Sequence, residues 1–218
     1  MTLLTTFTIW LLLWIIVFGI FFVMKLNGKG VTYVHNYGLT VIFFILSTIL
    51  AINIFDFPFE KIAITPLAIS SLIALYILSL STYSLAKKLL KPPQTLLKKY
   101  PDHYWITLDY RYLISKSFEI LFQQTMIIIG VWMLYNAGFS LLKTITYFFI
   151  IFGFIHLIGI STAGKTMGIF YLLASLIGAL FFPILIIASP DGFIYSYIVH
   201  FLFYIIAGIV VWIYQQNK

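Results

Sequence analysis

Residues 112–136 read YLISKSFEILFQQTMIIIGVWMLYN. This stretch is long and apolar enough to cross a bilayer as a helix, yet its first half carries Lys116, Glu119, Gln123 and Gln124. An ionisable side chain inside a spanning helix costs about 2.5–3.5 kcal/mol on insertion scales, so it usually faces the protein interior or a wet cavity. Glu119 and Gln123 are four residues apart and share one helix face. Glu119 is therefore a candidate functional residue.

The composition is that of an integral membrane protein. Of the 218 residues 62% are hydrophobic and only 9% are charged, and the mean hydropathy is +1.08. At about 20 apolar residues per crossing, the chain has room for one membrane domain of about seven spans and none for a soluble catalytic domain. Because the chain has no cysteine, thiol nucleophiles and thiolate metal sites are excluded. The net charge is +7, and the lysine and arginine residues that produce it lie in short loops at the ends of the predicted spans. This placement predicts contact with anionic lipid and no nucleic-acid partner.

The apolar runs predict an all-α helical bundle in an inner or plasma membrane. The predicted spans are residues 3–24, 38–55, 66–86, 112–136, 140–160, 166–188 and 193–214. The first span lacks a basic region before it and a cleavage site after it, so it is expected to be retained. The lysine-rich stretch 87–111 should be cytoplasmic, which places the N-terminus outside and the C-terminus inside. The same topology puts Lys25, Lys29, Lys165 and Lys218 inside, and Asp56, Glu60, Lys61, Lys143 and Asp191 outside.

The stretch 87–111 is the longest polar segment. Its lysines are Lys87, Lys88, Lys91, Lys98 and Lys99, and its aromatic residues crowd the second half, with Tyr112 directly after it. Lysine favours an anionic leaflet, and tyrosine and tryptophan favour the headgroup layer. We expect the segment to lie along the membrane surface on anionic headgroups; a docking surface for a partner protein is the alternative.

Two histidines lie within predicted spans. His156 follows Phe152 by four residues, and His200 has Ser196 and Tyr204 four residues to either side on one helix face. Two imidazoles and the Glu119 carboxylate on three helices could hold a water, or a divalent metal such as zinc, for general-base hydrolysis. In the alternative, each histidine only forms a hydrogen bond that joins two helices. Lys116, three residues before Glu119, then neutralises the carboxylate.

Residues 159–166 read GISTAGKT and fit the P-loop pattern letter for letter. A P-loop needs a strand before it in an α/β domain, whereas here one apolar span precedes the motif and another follows it. The sequence therefore predicts a tight turn whose lysine, Lys165, meets lipid phosphate, and not a nucleotide site.

Three short stretches resemble motifs of the CPBP family, which contains the CAAX prenyl proteases and the bacteriocin-processing or immunity proteins. They are FEILFQ at 118–123, FGFIH at 152–156 and HFLFY at 200–204. The resemblance covers residues 112–214 and leaves 1–111 as N-terminal spans and the basic segment. It implies an intramembrane protease core in which Glu119, His156 and His200 are the catalytic residues. The supporting residues would be Gln123, Phe152 and Tyr204, together with Ser196 beside His200.

The departures from the family pattern bear on function. The family's first glutamate, taken to activate the hydrolytic water, is Phe118 here; its arginine is Gln123, and its asparagine is Tyr204. Adjacent helix residues point about 100° apart, so Glu119 does not simply replace the missing glutamate. The sequence therefore predicts a non-catalytic, regulatory or immunity-type member that binds a peptide, a lipidated chain or a membrane partner. The alternatives are an active endopeptidase using Glu119, His156 and His200, and a small-solute transporter.

Overall fold

The computed structural model describes residues 2–26, 32–55, 62, 64–101, 103–163 and 165–216. This part of the chain is helical and contains no strand. The helices are α1 (Leu3–Leu26), α2 (Tyr37–Phe55), α3 (Pro66–Leu89), the short α4 (Gln94–Lys99), α5 (Tyr110–Asn136), α6 (Leu141–Ala163), α7 (Lys165–Ala188) and α8 (Gly192–Gln215). One turn of 3₁₀ helix, Tyr104–Thr107, lies between α4 and α5.

The prediction of an all-α membrane bundle is confirmed. Among the described residues, six helices, α1, α2, α3, α5, α7 and α8, are long and apolar enough to cross a membrane, and α6 contributes the apolar stretch Leu141–Leu157. Each of the seven predicted spans is thus a helix. The predicted end of the third span at residue 86 is three residues short, because Lys87 and Lys88 continue α3 to Leu89. In the P-loop-like stretch, residues 159–163 belong to α6 and α7 begins at Lys165, so the motif is helical where a P-loop has a loop that follows a strand. The predicted tight turn falls at position 164, which lies outside the described residues.

Helix α5 is the centre of the bundle. In its most apolar stretch 72% of the residues are buried, against between 22% and 33% in the other five qualifying helices. It packs against α1, α2, α6, α7 and α8. From α1, the fully buried Trp10 donates its indole N–H to the carbonyl of Met126 at 2.7 Å. Gly130 makes room for this ring, since a Cβ there would lie 3.0 Å from Trp10. The polar residues of α5 are therefore enclosed by protein.

Helix α3 lies at the edge and packs chiefly against α8. At one end, the carboxylate of Asp191 accepts hydrogen bonds from the backbone N–H and the hydroxyl of Thr65, both at 2.9 Å. Beyond the other end, Gln216 donates to the carbonyl of Lys91 at 2.9 Å and accepts from its N–H at 3.1 Å. These contacts place the amino ends of α3 and α8 together.

The described charges separate between the two ends of the bundle. The end at which α3 and α8 finish and α5 begins carries Lys25, Lys87, Lys88, Lys91, Lys98, Lys99, Arg111 and Lys165, with Asp109 as the described acid. The opposite end carries Lys143 and Asp191. The predicted positions of Lys29, Asp56, Glu60, Lys61 and Lys218 lie outside the described residues.

The connector, residues 90–101 and 103–109, packs across the lysine-bearing end of the bundle. Trp105 is 4% exposed and stacks on Phe170 of α7, and the indole N–H of Trp212 donates to the carbonyl of Ile106 at 2.7 Å. Gly208 of α8 permits this approach, because a Cβ there would lie 2.8 Å from the carbonyl oxygen of Trp105. Trp105 and the buried Tyr112 therefore pack against protein and do not present their rings to lipid headgroups.

Candidate functional site

Glu119 is held by three donors. Its Oε1 accepts from the Lys116 ammonium and from the Gln123 amide, each at 2.7 Å, and its Oε2 accepts from the Tyr33 hydroxyl. Glu119 is 3% exposed and Lys116 is 7% exposed. The Lys116 ammonium also lies 4.2 Å from the centre of the Tyr204 ring, within cation–π range. The structure thus contains the Lys116–Glu119 ion pair of the alternative reading, as a buried pair.

Tyr33 is the site residue that the sequence analysis missed. It lies between α1 and α2, and its carbonyl accepts a hydrogen bond from the Ser115 hydroxyl of α5 at 2.9 Å. Burial, and then the neighbouring charge of Glu119, raise the pKa of Tyr33 above its usual value. The phenol therefore stays protonated at neutral pH and donates to the carboxylate. In the sequence, Tyr33 is marked only by its position near the end of a predicted span, and several other tyrosines share that property.

An aromatic cluster covers this ion pair at the lysine-bearing end. Its buried members are Val34, Trp105, Ile106, Tyr112 and Met167, with Tyr33 and Tyr204 packed against it. Tyr171 of α7 anchors the connector over the cluster, since its hydroxyl accepts from the indole N–H of Trp105 at 2.9 Å. The cluster separates Glu119 from the end of the bundle on which the lysines lie.

His200 of α8 contacts α5 at Gln124, farther along α5 than Glu119. Its Nδ1 lies 3.0 Å from the side-chain nitrogen of Gln124, which also donates to the carbonyl of Ser196 at 3.2 Å. Because the amide nitrogen donates, Nδ1 of a neutral His200 accepts and Nε2 carries the proton. Gln124 follows Glu119 by five residues, which is about 7.5 Å along a helix axis. The α5 residue that holds His200 therefore lies about one and a half turns beyond Glu119.

His156 is bound within its own helix. Its Nδ1 lies 2.8 Å from the carbonyl oxygen of Phe152, and the two rings are 4.5 Å apart. Since a carbonyl only accepts, Nδ1 carries the proton and Nε2 of the neutral ring has a lone pair. Phe152 thus supports His156 through both its carbonyl and its ring.

The structure brings some of the predicted residues together. Gln123 and Tyr204 contact the Lys116–Glu119 pair, and the Tyr204 ring stacks on His200 with ring centres 5.9 Å apart. The Ser196 hydroxyl donates to the Phe193 carbonyl in its own helix. The backbone carbonyl of Ser196 accepts from the Gln124 amide. Within the described residues, no group of three or more histidine or acidic side chains is placed to hold a metal ion. These residues do not fit a zinc site, and the catalytic roles of Glu119, His156 and His200 remain predictions.

A groove lies between α3, α5 and α8. It has a volume of about 190 Å³ and is lined by Leu72, Tyr76, Ser117, Phe118, Leu121, Phe193, Ile194 and Tyr197. The two tyrosine hydroxyls are 2.6 Å apart, and that of Tyr197 donates to the Ser117 carbonyl at 3.1 Å. These polar atoms satisfy one another, so the groove presents mainly apolar walls. Phe118 forms part of one wall.

Comparisons with protein-family models, with curated proteins and with solved structures give no match to this chain. The likeness to the CPBP family therefore rests on the three short motifs alone.

Proposed function

We propose that this chain is a non-catalytic, CPBP-like membrane protein that binds the hydrocarbon chain of a lipidated partner. The observation that carries the proposal is the position of Phe118. Where a protease of the family would present its water-activating carboxylate, this chain presents an aromatic ring to an apolar groove. A groove inside the bilayer with its polar atoms already paired suits a chain that makes no hydrogen bonds.

The state of Glu119 supports binding over hydrolysis. A general base must reach a water or substrate proton with an oxygen that is free to accept it. Both oxygens of Glu119 already accept hydrogen bonds, and one of the donors is a buried ammonium. Freeing the carboxylate would leave Lys116 as an unpaired buried charge, which is costly. We therefore assign the pair a structural role, and neither of its members lines the groove.

A photoreactive ligand tests this proposal. A peptide whose prenyl chain carries a diazirine should label α3, α5 and α8 of the purified protein, and an unlabelled prenylated peptide should compete. Leu121→Trp fills the groove and should reduce labelling about tenfold, equivalent to about 1.4 kcal/mol of binding free energy. Ile15→Trp, on a 53% exposed position of α1, is the matched control and should leave labelling unchanged. Labelling spread evenly over all lipid-facing helices would contradict the proposal.

An active endopeptidase is the second candidate. The observation in its favour is that Nε2 of His156 and Nε2 of His200 have no hydrogen-bond partner among the described residues, one with a lone pair and one with a proton. Cleavage of a membrane-tethered peptide by the purified protein, abolished by His156→Ala, would establish this function in place of the first.

We also propose that the protein lies in an inner or plasma membrane with its lysine-bearing end in the cytoplasm, following the positive-inside rule. Because the natural chain has no cysteine, single cysteines can report the orientation. Thr95→Cys and Ser140→Cys place exposed thiols at opposite ends of the bundle. In intact cells a membrane-impermeant maleimide should label Ser140→Cys only, and after permeabilisation it should label both. The reverse pattern would overturn the orientation.

A further inference from the structure

We infer that the lysine-bearing end of the bundle is a binding surface for the phosphate headgroups of anionic membrane lipids. The surface consists of Lys87 and Lys88 at the end of α3, Lys91, and Lys98 and Lys99 at the end of α4, and all five side chains are exposed. It is distinct from the groove and from the Lys116–Glu119 pair, and it does not depend on the proposed function.

The lysines are carried on a fixed scaffold. Lys87 and Lys88 lie in the last turn of α3. The connector that bears Lys91, Lys98 and Lys99 is hydrogen-bonded to α8 through Gln216 and Trp212, and to α7 through Tyr171. Leu97 packs with the buried aromatic cluster while its neighbours Lys98 and Lys99 point outward. The backbone that carries the lysines is thus held in place, so less conformational freedom is lost when they bind.

The charge on this surface is not balanced by described acids. Asp109 is engaged by Arg111, whose guanidinium nitrogen lies 2.8 Å from its carboxylate. None of the five lysines forms an ion pair within the residues that the structure describes. Positive charges at one end of the bundle without such partners attract an anionic surface, and each lysine near an anionic leaflet adds to the attraction.

The exposed leucines next to Lys87 and Lys88 favour a lipid over a soluble anion as the ligand. Leu85 and Leu89 on the same helix are 55% and 68% exposed, as expected for side chains in contact with acyl chains. The ammonium groups therefore emerge where an apolar span ends, which is the level of the headgroup phosphates. A soluble acidic protein or a free phosphate would have no contact with these leucines.

Lipid retention tests the inference. The purified protein is equilibrated with an equimolar mixture of phosphatidylglycerol and phosphatidylcholine, and native mass spectrometry counts the lipids that remain bound. The wild-type chain should retain phosphatidylglycerol over phosphatidylcholine by about tenfold. The variant K87Q/K88Q/K98Q/K99Q should lose this preference, and the preference of the wild type should weaken in high salt.

Two matched variants control the experiment. K87R/K88R/K98R/K99R keeps the charge and should keep the preference, and Lys143→Gln, an exposed lysine at the opposite end, should also keep it. An unchanged preference in the glutamine variant, or no preference in the wild type, would overturn the inference. Displacement of the lipid by millimolar inorganic phosphate or by a soluble acidic peptide would also overturn it, because the surface would then bind those anions.

Discussion

Replacing Lys116 with methionine is expected to lower the free energy of unfolding by about 3–5 kcal/mol. The variant removes the ammonium that lies 2.7 Å from Glu119 and leaves a carboxylate that is 3% exposed without a counter-charge. Tyr33 and Gln123 still donate to it, but neutral donors do not compensate a charge that has been moved out of water. Thermal or denaturant unfolding in detergent micelles measures the loss.

A second change separates the loss of charge balance from the loss of packing. Lys116→Met combined with Glu119→Gln removes both charges and should recover most of the lost stability, because no unpaired ion is left. Lys165→Met, an exposed lysine at the start of α7, is the matched control and should change the stability by less than about 0.5 kcal/mol. A Lys116→Met protein as stable as the wild type would show that the ammonium does not hold Glu119.

Replacing Trp10 with alanine is expected to cost about 3–5 kcal/mol of stability. The ring is fully buried between α1 and α5, fills the space over Gly130 and donates to the Met126 carbonyl. Its removal opens a cavity at the contact that joins the first helix to the central one. The same unfolding assay applies, and protease accessibility of α1 provides an independent readout.

Leu12→Ala controls for the loss of apolar surface on the same helix. Leu12 is 49% exposed on the bundle surface, where lipid replaces protein contacts, so this change should cost less than about 0.5 kcal/mol. Equal effects of the two substitutions would mean that α1 is held by general burial in the membrane and not by the Trp10 contact.

The features that local rules determine were predictable from the sequence. Seven apolar runs became helices, because a bilayer requires every backbone polar group to be bonded within its own segment. The contact of Lys116 and Gln123 with Glu119 follows from spacings of three and four residues on one helix. The Phe152 carbonyl that His156 contacts is likewise four residues away, at the spacing of the FxxxH motif.

The features that depend on packing between distant segments were not predictable. Tyr33 reaches Glu119 across 86 positions of sequence, and no local pattern marks it. Trp105 was expected at the headgroups, because its preference for the interface is visible in the sequence while the space left by Gly208 is not. The groove that Phe118 lines is formed by the packing of α3 against α8 beside α5. The periodicity of apolar residues within one helix does not predict which helices pack together.

The attachment of α3 to chiefly one neighbour has a mechanical consequence. A helix packed on a single partner can change its tilt at less cost than one enclosed on all sides, and hydrophobic mismatch with the surrounding bilayer drives such tilting. Because α3 supplies Leu72 and Tyr76 to the groove, its tilt sets the width of the opening. The thickness of the bilayer should then change the width of the groove without a ligand and without any change in the chain.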